Sequence, residues 1–83
     1  MRKQTCVSSN ITAIAFNDTR LYIKFNNGRV YVYFDVPEGV YDQMAKAESV
    51  GKFFHSDVRN VYTQQNEVSV EVAESLGFGA VVV

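Results

Sequence analysis

Eighty-three residues, 47% of them hydrophobic, with five glycines and one proline, describe one small folded domain and exclude a disordered chain. A net charge of −1 excludes the strongly basic balance of a dedicated duplex binder. The single Cys6 excludes an internal disulfide and a cysteine-based metal cluster, and a lone thiol fits a reducing compartment.

The charge is unevenly spread. All eight Lys and Arg lie in residues 1–62 against six acids there, while residues 63–83 hold Glu67, Glu71 and Glu74 with no cation. A chain this short buries only about 60% of the surface its unfolded form exposes, so self-association is a natural route to further stability. No apolar run long enough for a signal peptide follows Met-Arg-Lys-Gln-Thr-Cys, and no stretch approaches the ~20 apolar residues of a membrane span. The expectation is a soluble, cytoplasmic protein with no membrane partner.

In chain order, the first strand is expected over residues 10–16. Ile11 and Ile14 fall on opposite faces under strict alternation, so either a bulge sits near Thr12-Ala13 or both faces are partly covered. Asn17-Asp18 reads as a turn. Asn27-Gly28 then signals a hairpin over residues 20–35 with a two-residue type I′ loop. In that register Leu21, Ile23 and Phe25 face Phe34, Val32 and Val30, an apolar side. On the other side Arg20 faces Asp35, Tyr22 faces Tyr33 and Lys24 faces Tyr31, and a one-residue slip would mix the two sets.

Pro37 and Glu38 suit the start of a helix over residues 37–47, whose apolar residues are Val40, Tyr41, Met44, Ala45 and Ala47. A second, shorter helix begins at an N-cap Ser49, carries Val50, Phe53, Phe54, Val58 and Val61 on one stripe, and ends within residues 59–62. After a polar linker, Val68, Val70 and Val72 alternate as in a strand, although residues 73–76 fit a helical turn equally well. The apolar end, residues 80–83, calls for burial in the core or against another chain.

The succession Val7-Ser8-Ser9-Asn10-Ile11, Tyr31-Val32-Tyr33, Val36-Pro37, Val40-Tyr41, Ala47, Ser49 and Gly51-Lys52-Phe53-Phe54 resembles the KTSC domain family. That family takes its name from the C-terminal extension of some lysyl-tRNA synthetases and also occurs alone in small bacterial and phage proteins. Its central mark is a Tyr-x-Tyr, matched by Tyr31 and Tyr33. The resemblance spans about residues 7–62, leaving 63–83 as an acidic, then apolar, C-terminal tail. It implies a domain of unassigned function for which RNA binding has been considered by association.

The chemistry on offer is that of a binder. Arg20, Tyr22, Lys24, Tyr31 and Tyr33, gathered on one sheet face, would form a base-stacking platform beside cations; the alternative is a stabilising cross-strand tyrosine pair. His55 has no partner at metal-ligand spacing and reads as a surface or helix-end residue. Cys6 has no adjacent base. Ser8-Ser9-Asn10 suits either the mouth of a small pocket or a local turn, and Lys46, Lys52 and Arg59 either a basic patch or solvated helix charges. Gly77-x-Gly79 lacks the strand, helix and lysine of a phosphate loop.

The expected fold is α+β, a three-stranded antiparallel meander with two short helices on one face and a tail that adds a strand or drives association. The expected function is non-enzymatic binding, without cofactor or metal, of single-stranded RNA or a nucleotide-like ligand. The alternative is docking on a larger protein partner, a homo-oligomer through residues 67–83, or an oligomer sequestering a small nucleotide.

Overall fold

A computed structural model describes residues 2–6, 8–75 and 77. The chain runs β1 (Arg2–Thr5), β2 (Ile11–Asn17), β3 (Arg20–Phe25), β4 (Val30–Tyr33), α1 (Glu38–Lys46), α2 (Val50–Phe53), a π-helical turn (Phe54–Arg59), β5 (Gln65–Val68) and α3 (Val70–Ser75). The strands form one antiparallel sheet in the order β1-β2-β3-β4-β5, each beside its neighbour in sequence.

The α+β class is as expected, but among the described residues the sheet has five strands rather than three. Residues 2–5 lack the apolar alternation that marks a strand, since all four are exposed on an edge. The tail supplies the fifth strand as far as Val68. Ser69 then ends it: its hydroxyl accepts from the Val72 amide at 3.3 Å, and the valine alternation gives way to α3. The bulge anticipated near Thr12 is present, between Ile11 and Ala13 of β2. Residues 80–83 lie outside the described residues.

The hairpin forms, but in a register one residue away from that expected. Leu21 pairs with Tyr33, Tyr22 with Val32, Ile23 with Tyr31 and Lys24 with Val30. The loop has three residues, Asn26-Asn27-Gly28. The Gly28 amide donates to the Phe25 carbonyl at 2.9 Å, and Gly28 takes φ +88°, so a type I turn is followed by a left-handed glycine. A type I′ turn would need positive φ at Asn27 as well, and Asn27 does not have it.

The cause lies outside the hairpin. The Asn26 amide donates to the Asn10 carbonyl at 2.8 Å, its Nδ2 donates to the Ser8 carbonyl at 3.2 Å, and its Oδ1 accepts from the Thr12 hydroxyl at 2.7 Å. Tied on three sides to the segment entering β2, Asn26 becomes a loop residue and leaves the β3–β4 ladder one step short. The preceding turn moves too. Its central residues are Asp18 and Thr19, at φ +51° and +61°, between Asn17 and Arg20.

The helices cover one face of the sheet. Ile11, Ile14, Phe16, Leu21, Ile23 and Tyr33 meet Val36, Tyr41, Met44, Val50, Phe54 and Val58 in the main core. Pro37 precedes α1 as its N-cap, and α1 is moored to β1 by Arg2, which contacts Glu38 at 3.1 Å, pairs with Asp42 and lies 4.7 Å above the Tyr41 ring. Ser49 caps α2 as its composition suggests, accepting from the Lys52 amide at 3.2 Å. Val50, Phe54 and Val58 are buried, whereas Val61 is 59% exposed, because the chain leaves the helix before reaching it.

The opposite face carries a smaller cluster of Ala15, Tyr22 and Val32, with Phe34 and Val68 against it. Val72 of α3 lines a groove on this side with Tyr22 and Val32, and Lys3 Nζ donates to the Gly77 carbonyl at 3.3 Å. No helix among the described residues is long and apolar enough to cross a membrane.

Candidate ligand-binding site

The register decides where the five expected site residues stand. Side chains directly opposite one another in a ladder share a face. Tyr31 and Tyr33 therefore stand with Ile23 and Leu21 on the helix side, and Tyr22 and Lys24 with Val32 and Val30 on the other. Arg20 and Asp35 form no ion pair: Arg20 lies opposite Asn17, and Asp35 follows the end of β4 with φ +59°. The single tyrosine-rich polar face is thus corrected to two half-sets on opposite sides of the sheet.

Tyr22 and Tyr33 are not open platforms either. They are 8% and 4% exposed, packed into the two clusters. Tyr33 abuts Phe54 with ring centres 5.7 Å apart, and burial pushes its phenol pKa up, with nearby Arg59 acting in the opposite direction. Tyr31 meets the edge of Phe25 at 5.8 Å, and Phe25 meets Phe54 at 5.4 Å. A continuous chain of edge-to-face aromatic contacts therefore runs from β4 through the hairpin tip to the π-helical turn.

This chain ends in an open cavity of about 420 Å³ between the hairpin tip and the helices, lined by Ser9, Asn10, Ile11, Phe25, Asn26, Asn27, Gly51, Phe54, His55 and Arg59. Ser8 shapes its mouth: the hydroxyl accepts from the amides of Asn10 at 3.2 Å and Ile11 at 3.4 Å. The two readings of Ser8-Ser9-Asn10 are therefore compatible, since Ser8 builds the turn while Ser9 and Asn10 face the cavity. α2 reaches the mouth at Gly51, where a Cβ would stand in ordinary van der Waals contact, 3.4 Å from Ser8 Oγ and 4.0 Å from Asn10 Nδ2.

His55 and Arg59 both belong to the π-helical turn. A π-helix bonds residues five apart rather than four, so each turn is wider, and such turns occur frequently at functional sites. Asn60 closes it, its Nδ2 donating to the His55 carbonyl at 2.8 Å. The lining holds amides, a hydroxyl, an imidazole, a guanidinium and two aromatic rings, and no carboxylate. Such a set suits a planar, anionic ligand: Phe25 for a flat apolar face, amides for a polar edge, and Arg59 for a negative charge.

Reasoning from sequence alone misses Phe25, Asn26, Asn27 and the joint presence of His55 and Arg59. The signal available was the motif list itself, since Ser8 to Ile11, Tyr31, Tyr33, Gly51 and Phe54 converge on this region although they are far apart in the chain. The helix cations divide: Arg59 faces the cavity, while Lys46 and Lys52 are exposed outside it. Among the described residues no three His, Cys, Asp or Glu side chains group as a metal site. Cys6 Sγ donates to the Gln4 carbonyl at 3.9 Å, and burial pushes its pKa up, opposite to what a nucleophile needs.

Residues 7–62 match the KTSC domain. A protein of Tsukamurella paurometabola is 34% identical over 58 residues, which cover 68% of this chain and 87% of that protein. The crystal structure of a KTSC domain protein from Yersinia pestis superposes with a TM-score of 0.75 at 27% identity, covering 82% of this chain and 97% of the other. With two thirds of its length matched by the family model and its fold shared with a solved member, the chain belongs to the KTSC domain family.

Proposed function

We propose that this protein is a non-enzymatic binding module whose ligand is nucleotide-like, a free nucleotide or a nucleotide of single-stranded RNA, held in the cavity between the hairpin tip and the π-helical turn. The observation that carries this reading is the lining itself, with the partly exposed Phe25 ring, backed by the buried Phe54, on the same cavity as Arg59 and no carboxylate. A base against an aromatic side chain contributes about 1–3 kcal/mol, and such stacking tolerates different bases. Tyr31 and Tyr33 serve as the aromatic backing that holds Phe25 and Phe54 in place. The half-buried Cys6 thiol suits a reducing cytoplasm, the compartment we assign to this function.

The test is calorimetric titration with a nucleotide panel and short single-stranded RNAs at low and moderate salt, on the parent chain and Phe25→Ala. The reading expects saturable binding that weakens by about tenfold or more in the variant. Absence of binding at millimolar ligand overturns it.

A second reading draws on the opposite face. Arg20, Tyr22, Val32, Phe34, Val68 and the 47% exposed Val72 line an open groove there. Docking on a protein partner, or self-association through residues 67–83, would cover that groove. Sedimentation of the parent chain and Val72→Glu discriminates, since a monomer in both cases removes self-association.

A further inference from the structure

The placement of charge around the cavity bears on which nucleotide it takes. We infer, building on the nucleotide reading above, that the ligand's phosphate is a terminal one: the site accepts a nucleoside monophosphate or the phosphorylated end of a strand, and rejects the interior of a nucleic acid chain.

Size is the first argument. A volume of about 420 Å³ lies at the small end of ligand pockets, which run to about 1,000 Å³, and suits a single nucleotide. The distribution of donors is the second. Arg59 and His55 sit together on the π-helical turn at one pole, whereas the hairpin-tip wall offers the neutral amides of Asn26 and Asn27. Asn26 is already engaged with Ser8 and Thr12, and Asn27 Oδ1 accepts from the Arg29 amide at 3.0 Å, so these side chains shape the wall rather than offer charge. A ligand matching this polarity has its negative charge gathered at one end and a neutral, flat body at the other. A nucleoside monophosphate has that form, and its phosphate presents more acceptor oxygens to a guanidinium fork than a bridging diester does.

The surroundings supply the third argument. A strand passing through would carry further phosphates away from the cavity in both directions. The next cations, Arg29 and Lys52, stand outside the lining. With a net charge of −1 the protein also has little long-range attraction for a polyanion.

The experiment compares the full chain's affinity for a nucleoside, its monophosphate, and a dinucleoside joined by one internal diester, by calorimetry at fixed salt. The monophosphate should bind about tenfold or more tightly than the nucleoside, with the dinucleoside close to the nucleoside. Arg59→Ala should bring the monophosphate down to the nucleoside's level at an unchanged melting temperature, and Arg59→Lys should retain part of the difference. Equal affinity for nucleoside and monophosphate, or a dinucleoside that binds as well as the monophosphate, overturns the terminal-phosphate inference and leaves the nucleotide reading standing. Failure of all three to bind overturns both.

Discussion

The two faces of the hairpin are built from the same alternating residues and yet do different work. On the helix side Leu21, Ile23, Tyr31 and Tyr33 meet the helices in a continuous core that leads to the cavity. On the other side Tyr22 and Val32 sit in a small cluster with Ala15, Phe34 and Val68. Since Val and Tyr both have an apolar body, either set from β4 could cover a core, and hydrophobic alternation alone does not choose between them. What chooses is Asn26, a polar residue whose hydrogen bonds run to a different strand.

The comparison can be broken most forcefully at its centre. Ile23→Ala empties a fully buried position in the main core and should cost about 2–5 kcal/mol. Val32→Ala, on the opposite face, should cost only about 1.5 kcal/mol. Denaturant unfolding of both variants checks the ranking, and equal losses would mean that the second face is as much a core as the first.

Next in size is Asn26→Ala. It removes the side-chain bonds to Ser8 and Thr12 that hold the three-residue loop, at a cost of about 1–3 kcal/mol. Cross-strand nuclear Overhauser contacts should then show the Tyr22–Tyr33 pairing of a two-residue loop competing with the Tyr22–Val32 pairing. Unchanged stability and pairing would show that the register has another cause.

A gain is expected at Thr19. A β-branched residue at φ +61° is strained, and Thr19→Gly should stabilise the chain by about 1 kcal/mol in thermal unfolding.

The smallest effect concerns the mooring of β1. Hydrogen bonding to Arg2 holds the Asp42 carboxyl below its usual range. With the folded pKa depressed, the pair's contribution is complete above the ordinary carboxylate pKa and disappears as the pH falls through the lower folded value. Arg2→Ala should therefore flatten the acid limb of a stability–pH profile and leave the neutral-to-alkaline part parallel to the parent's.

Much of the fold is legible in the residues. Ser49 as a cap, the helix beginning after Pro37, the bulge at Thr12 and the presence of a hairpin all follow from local chemistry, and local chemistry is what those features depend on. β1 is not legible, because an exposed edge strand of Arg-Lys-Gln-Thr has no apolar period to display. Val61 fits the helical stripe and is nonetheless exposed, because the π-helical turn ends at Arg59.

The candidate site was legible only as a list of motifs. Ser8, Asn10, Tyr31, Gly51 and Phe54 are named by family resemblance, but their meeting depends on tertiary contacts between the β2 entrance, the hairpin tip and α2, which spacing does not encode. Placing Tyr31 and Tyr33 on the wrong face came from one residue of loop length. That is the whole difference between a hairpin judged by its turn dipeptide and one judged by what its turn is tied to.

The central claim is that ligand binding belongs to the helix side of the sheet. It is tested most directly by amide chemical-shift mapping of the full chain titrated with a nucleoside monophosphate. The account predicts saturable shifts at Asn10, Phe25, Asn27, Gly51, His55 and Arg59, with Arg20, Tyr22 and Lys24 unmoved. Shifts concentrated on Arg20, Tyr22 and Lys24, with the cavity residues silent, would contradict it.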